Sequence, residues 1–270
     1  RITLAIRDGS FFENPALKGA FLHAKEHGSA VNVAGLLTKG NVHAAFEHID
    51  AFLTMAEREG VPNIRLHLFA DGKDSQPHSF DELFRKIPRD KIATLVGRYY
   101  AMDRGQNWQL TKTAYELLTG TALPITADVD AVARETYGRG LAEEYFPPMR
   151  LREDSAIRDN DALIFLNFRE DSIRQLAESF IVKDFDKFPR KPFANLAVVT
   201  MTKYEDRFSV PVAFPPDMVK NSLGEVIAGA GKTQLRLAES YKYAHVTYFF
   251  NAHREAPFKN EYRVLVPSVK

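Results

Sequence analysis

The chain has 270 residues, 45% of them hydrophobic, enough to bury one full core or two modest ones. Its 36 basic and 35 acidic side chains leave a formal net charge of +1, without the basic excess that a general nucleic-acid binder carries on one face. The absence of cysteine excludes disulfides, thiolate zinc sites and cysteine nucleophiles, and suits a reducing cytoplasm. No apolar run approaches the roughly 20 residues that cross a bilayer, and the charges in RITLAIRDGSFFEN (1–14) do not fit a signal peptide. Because it opens at Arg1 rather than methionine, the expectation is a soluble segment of a larger protein.

Strand-like runs alternate with helical patterns. AVNVAGL (30–36) reads as a buried strand, and Val42, Ala45, Phe46, Ile49, Phe52, Leu53 and Ala56 follow at helical spacing until Gly60 and Pro62. IRLHLFA (64–70) is a second strand, followed by a polar turn and a helix over 79–86. KIATLVG (91–97) is a third, before helices over 107–119 and 128–136. ALIFLN (162–167) leads into a helix predicted over 169–180, and ANLAVVTM (194–201) is a fifth strand. Strands separated by amphipathic helices predict an α/β fold, a mostly parallel sheet with helices on both faces. The prolines of FSVPVAFPPD (208–217) mark a hinge. The expected division is 1–215 as one α/β domain and 216–270 as the opening part of a second, with a helix over 222–231 and strands near 233–237, 244–250 and 262–267.

The polar clusters follow the strands. His43 lies after the first, Lys73 and Asp74 after the second, Arg98 and Arg104 after the third, and Arg169 after the fourth. In an open α/β sheet the crevice outside the carboxyl ends of the strands is where ligands bind. Three arginines and a lysine there, with few acids, describe an anion site, because arginine's planar fork matches carboxylate and phosphate. Asp74 could bind hydroxyls or act as a base. Singly, each residue has an ordinary explanation: His43 as a helix-start group, Asp71-Gly72 as a turn, Arg98 and Arg104 as partners of Asp103 or other acids. Their recurrence at successive strand ends carries the argument.

Other motifs fall away. Gly229-Ala230-Gly231-Lys232-Thr233 resembles the end of a P-loop, but Val226 stands where the pattern needs glycine, and the run ends a helix instead of preceding one. His23 and His27 in HAKEH share a helix face without a third ligand, so no metal site is expected in this chain.

AIRDGSFFEN (5–14), the GxVH at 40–43, FADGKDSQP (69–77), GRYYAMDR (97–104), NFRED (167–171), VPVAFPP (210–216), LGEV (223–226), AESYKYAHVTYFFN (238–251) and LVPSVK (265–270) together resemble the cofactor-independent phosphoglycerate mutases of the alkaline phosphatase superfamily. The resemblance implies a substrate domain followed by the start of a returning phosphatase domain. It implies a reaction interconverting 3- and 2-phosphoglycerate through a phosphoserine, without 2,3-bisphosphoglycerate. It also implies two divalent metals, manganese in many members; the serine and the metal ligands lie outside this chain, which is then inactive alone. By the same resemblance His43, Lys73, Asp74, Arg98, Arg104 and Arg169 contact the phosphoglycerate, Asp74 accepts a proton from the glycerate hydroxyl, and Lys242 reaches the phosphate from the phosphatase side. The expected partners are the small-molecule substrate and the rest of the phosphatase domain, in a cytoplasmic monomer that binds neither nucleic acid nor membrane.

Two positions depart from that pattern. Lys73 replaces an arginine, and Ser172 stands where the family repeats arginine three positions after Arg169. On the predicted helix those two positions share a face, so a second fork toward the carboxylate is missing. Ser172 keeps open a related phosphomutase or phosphatase acting on another small phosphorylated acid. A non-catalytic anion-binding module is the third alternative.

Overall fold

A computed structural model describes residues 1–120, 122–216, 219–252 and 254–268. The chain divides into two compact units, Arg1–Pro215 and Pro216–Lys270.

The first unit is built on a six-stranded sheet: β1 (Val31–Leu37), β2 (Ile64–Ala70), β3 (Ile92–Gly97), β4 (Met149–Arg150), β5 (Ala162–Phe165) and β6 (Ala197–Thr200), in the order β4-β3-β2-β1-β5-β6. All neighbours run parallel except β3 and β4. Every residue of β1, β2, β3 and β5 is buried. Successive strand side chains point to opposite faces, so this pattern requires both faces of the sheet to be covered. The cover comes from helices: α1 (Ile2–Asp8), α2 (Pro15–Glu26) and α3 (Phe46–Glu59) pack together, as do α6 (Trp108–Thr119) and α8 (Arg174–Ile181). Between them in the chain lie α4 (Phe80–Phe84), α5 (Arg98–Ala101) and α7 (Val129–Gly138).

Local chemistry sets the helix ends. The Asn14 side chain accepts the backbone N–H groups of Ala16 and Leu17, and Pro15 occupies the first turn of α2, where no intrahelical donor is needed. Gly60, at φ 65°, closes α3 in the left-handed region. Toward the amino ends of the strands, a polar belt crosses the sheet. His67 lies between Asn32 Oδ1, 3.1 Å from Nε2, and the Thr94 hydroxyl, 2.9 Å from Nδ1. An amide oxygen only accepts, so Nε2 carries the proton and Nδ1 takes the threonine hydrogen. Burial, together with Arg65 and Arg152 nearby, pulls the His67 pKa down to about 3, so the ring is neutral.

Two expectations are corrected. The helix predicted over 169–180 begins at Arg174, and residues 171–173 form a turn, so Arg169 and Ser172 do not share a helix face. The stretch 244–250, expected as a strand, is helical: Ser240–Ala244 forms α10 and His245–Phe249 a π-helical turn. Its alternating Val246, Tyr248 and Phe250 mimic a strand, but the Thr247 hydroxyl donates to the Tyr243 carbonyl four residues back, and short apolar runs do not discriminate the two states. The two-residue edge strand β4 carried no predicted signal.

The second unit holds α9 (Leu223–Gly229), β7 (Gln234–Glu239), α10 and β8 (Glu261–Val266), with β7 and β8 parallel. Ser222 caps α9, and Gly231 at φ 69° follows its end, which disposes of the P-loop likeness. Of the 265–270 stretch, positions 269 and 270 lie outside the described residues. Among the described residues, no helix is long and apolar enough to cross a membrane.

Gly97 closes β3 against the backbone of Glu144, and a Cβ there would overlap the Glu144 carbonyl. Gly97→Ala is therefore expected to destabilise the protein by about 2–3 kcal/mol. Gly138→Ala, at a helix position with no atom near the added methyl, should be neutral or stabilise by up to about 1 kcal/mol. Urea unfolding of both variants checks the contrast; equal stabilities would contradict the close approach at Gly97.

Candidate functional site

The sheet reverses its strand order at β1, which has β2 on one side and β5 on the other. The loops leaving β1 and β5 therefore meet at the carboxyl rim, the topological position where open α/β sheets bind ligands. They are stitched there: Leu36 N donates to Asn167 Oδ1 at 3.0 Å, and Phe168 N donates to the His43 carbonyl at 2.8 Å. On the other side of β1, Gly40 lets its loop press on the backbone of Asp74, where a Cβ would collide with the Asp74 carbonyl.

Asp71, at the end of β2, organises this rim. Its buried carboxylate accepts the Thr38 hydroxyl at 2.5 Å and the backbone N–H groups of Lys73, Asp74 and Ser75 at 3.2, 3.0 and 2.6 Å. It also accepts Nη1 of Arg98 at 2.6 Å. Burial alone would raise its pKa, but these donors outweigh burial and hold it below the usual carboxylate value. The same Arg98 nitrogen reaches Asp74 Oδ1 at 2.8 Å. Burial costs Arg98 some of its preference for the charged form, and Asp74 and Asp71 more than restore it.

His43 joins the two halves of the rim. Its Nδ1 lies 2.7 Å from Asp74 Oδ2, and its Nε2 lies 3.3 Å from Asp171 Oδ1 and 3.4 Å from the Ser172 hydroxyl. Burial pulls the imidazole pKa down, but Asp171 and Asp74 dominate together and hold it above its usual value. Asp171 in turn accepts Nη1 of Arg104 at 2.7 Å and Nη2 of Arg169 at 2.9 Å. Its own pKa is depressed: burial opposes ionisation, and His43, Arg169 and Arg104 override it. The loop that carries Arg104 is shaped by Asp103, which accepts the N–H groups of Gly105 and Asn107 and the Gln175 amide instead of pairing with an arginine.

His43, Asp74, Arg98, Arg104 and Arg169 thus form one connected cluster, with Asp71, Asp171 and Ser172 completing it. Lys73 is turned away, 58% exposed and bound to Glu144 at 2.7 Å. Lys242 sits on α10 of the second unit with its side chain exposed. The expectation of an anion site with few acids needs correction, because each arginine of the cluster is answered by a carboxylate. The physical reason is the cost of holding a buried or half-buried guanidinium without a counter-charge. Asp71 and Asp171 were missed as organisers. An Asp closing a strand just before a glycine turn was the available signal for Asp71; Asp171 carried none beyond its place in NFRED. Among the described residues no group of three or more His, Asp or Glu is placed to hold a metal ion.

Asp71→Asn removes one of the two carboxylates that face the buried Arg98 and is expected to cost about 3 kcal/mol at pH 7. Because the folded-state pKa is lowered, Asp71 contributes its stability above the ordinary value of 3.8 and loses it as pH falls through the folded value. The gap between the two proteins in denaturant unfolding should therefore narrow below that pH. A gap that is absent at pH 7 would remove Asp71 from its organising position.

A relative from Pseudomonas entomophila named 2,3-bisphosphoglycerate-independent phosphoglycerate mutase is 44% identical over all of this chain and 55% of its own length. One from Methanosarcina barkeri, named 2,3-bisphosphoglycerate-independent phosphoglycerate mutase 1, is 41% identical with the same coverage. The chain therefore spans about half the length of the curated relatives it matches. A solved structure of Leishmania mexicana phosphoglycerate mutase at low cobalt concentration superposes with a TM-score of 0.79, at 24% identity, over 100% of this chain and 53% of that one, a likeness of fold. The family model described as BPG-independent PGAM N-terminus (iPGM_N) matches residues 2–206, and the chain belongs to that family.

Proposed function

We propose that this chain is the substrate-gripping part of an enzyme that interconverts 3- and 2-phosphoglycerate through a phosphoserine. The observation that carries the reading is the cluster of Arg98, Arg104, Arg169 and His43 beside Asp74, in a chain whose curated relatives bear the mutase name along its whole length. The arginines hold the acid, with His43 beside them, while the phosphoryl group resides on a serine supplied from outside the matched residues. Asp74, oriented by Arg98 and His43, accepts the proton of the glycerate hydroxyl as its oxygen attacks phosphorus. The serine oxygen leaves with the bonding electrons and is reprotonated. By the family resemblance, Lys242 contacts the phosphate.

The family resemblance brings two divalent metals, manganese in many members, to the phosphatase part. The carboxylates of this cluster do not fit such a site: Asp71, Asp74 and Asp171 are engaged by Arg98, His43, Arg104 and Arg169. The second unit supports incompleteness in its own way. Leu235, Leu237, Tyr262, Val264 and Leu265 are exposed on a two-stranded parallel sheet, an arrangement that normally has both faces covered. The remainder of the phosphatase domain is the proposed cover. The same reading puts the protein in the cytoplasm as a monomer, and its balanced charge supports small-molecule rather than nucleic-acid partners.

Ser172 favours one further reading, a related phosphomutase acting on another small phosphorylated acid, because a buried hydroxyl stands where the family pattern has arginine. Comparing turnover of 3-phosphoglycerate with that of other phosphorylated hydroxy acids separates the two.

The 270-residue chain alone should not turn over 3-phosphoglycerate, and turnover by the purified chain would overturn this division of labour. In the complete protein, Arg169→Ala is expected to lower kcat/KM by roughly tenfold to a hundredfold, the worth of a charge-assisted pair. Lys73→Ala, which removes an exposed lysine paired with Glu144, should cost less than about threefold. Steady-state kinetics decide the matter. Wild-type behaviour of Arg169→Ala would show that the substrate's acid group is held elsewhere.

A further inference from the structure

Resting on the reading above, we propose that Asp171 is the positioning residue of the anion site: its carboxylate aligns Arg104 and Arg169 so that their remaining N–H groups face the incoming phosphoglycerate, and fixes His43 beside them. The carboxylate is shared with little waste. Oδ2 accepts Nη1 of Arg104 at 2.7 Å, and Nε and Nη2 of Arg169 at 3.1 and 2.9 Å. Oδ1 faces His43 Nε2 at 3.3 Å and accepts the Ser172 hydroxyl at 3.2 Å. One side chain on the loop after β5 thereby ties together cations from the loops after β1, β3 and β5.

The two arginines need such a partner. Their side chains are 63% and 47% exposed, and long exposed side chains lose rotamer freedom when a ligand fixes them. A carboxylate that fixes them beforehand removes part of that loss. A guanidinium has five N–H donors, so the contacts with Asp171 leave most of each fork available to a second anion. Ser172 fits the same scheme. It is almost fully buried between Asp171 and His43, and its short side chain leaves Asp171 room to meet the imidazole. An arginine at 172 would instead bring a further cation to this point, so in this chain more of the alignment falls to Asp171.

His43 gains an acceptor on each ring nitrogen. The charged groups that face it are Asp74 from the loop after β2, Arg98 from the start of α5, and Asp171 from the loop after β5, with the Ser172 hydroxyl beside the last. Asp74 and Asp171 favour the imidazolium; Arg98 and burial oppose it. Removing the Asp171 charge must therefore lower the pKa of His43, and with it the pH up to which the ring stays cationic.

The test is Asp171→Asn, which keeps the shape and removes the charge. NMR titration of the histidines in the substrate-free chain should move His43 to lower pH. In the complete protein, KM for 3-phosphoglycerate should rise by roughly tenfold with a smaller change in kcat. The fall of kcat/KM on the alkaline side should begin at lower pH, and Asp171→Glu should recover part of the loss. A lower KM would mean that Asp171 competes with the substrate and would overturn the proposal. So would a raised KM with an unmoved His43 titration, the mark of a merely structural role, or no change in either. The titration needs no substrate, so it judges the Asp171–His43 link even where the wild-type protein fails to act on 3-phosphoglycerate, a failure that would strike the functional reading instead.

Discussion

The rim of this sheet depends on one buried carboxylate. Asp71 takes donors from the loop after β1, from its own loop and from the start of α5, and so fixes the spacing of three strand ends at once. Without that charge, Arg98 would keep only Asp74 as a counter-charge, and the turn at 73–75 would lose the acceptor for three backbone N–H groups. The cluster above it inherits this order: Asp74 is placed by its own N–H on Asp71, His43 by Asp74, and Asp171 by His43.

The sheet makes that chain of contacts possible. The strand order brings the loop after β5, late in the sequence, beside the loop after β1, and joins them by backbone hydrogen bonds. Two glycines admit the close approaches, Gly40 against the Asp74 backbone and Gly97 against Glu144. The result is a site whose cations are held by carboxylates before any ligand arrives. Such pairing keeps the guanidinium groups soluble in a partly buried rim and orients them, at the cost of a smaller net attraction for an anion.

Much of the architecture was legible in the sequence because parallel strands buried on both faces leave continuous apolar runs, as in β1, β2 and β3. Of helix α2 only the HAKEH stretch was read as helical, although Asn14-Pro15 is a recognisable start signal. Residues 244–250 were misread because period-two and helical patterns coincide over so short a run. At the rim, the cations could be picked out from their positions after strands. Their carboxylate partners could not, because the pairing of Asp171 with Arg104 and His43 spans 67 and more residues of sequence and exists only once β1 and β5 are neighbours. Arg169 and Ser172 do not share a helix face, because the helix starts later than its apolar pattern indicates, at Arg174.

In the proposed function, the carboxyl rim of the first unit holds the substrate's acid group. The most direct measurement is a crystal structure of the complete protein with 3-phosphoglycerate bound. The account predicts an anionic group of the ligand within hydrogen-bond distance of Arg104 and Arg169, with its hydroxyl on Asp74 and the Asp171 carboxylate still joined to His43. A ligand bound away from this rim, with both arginines touching only Asp171, would contradict it.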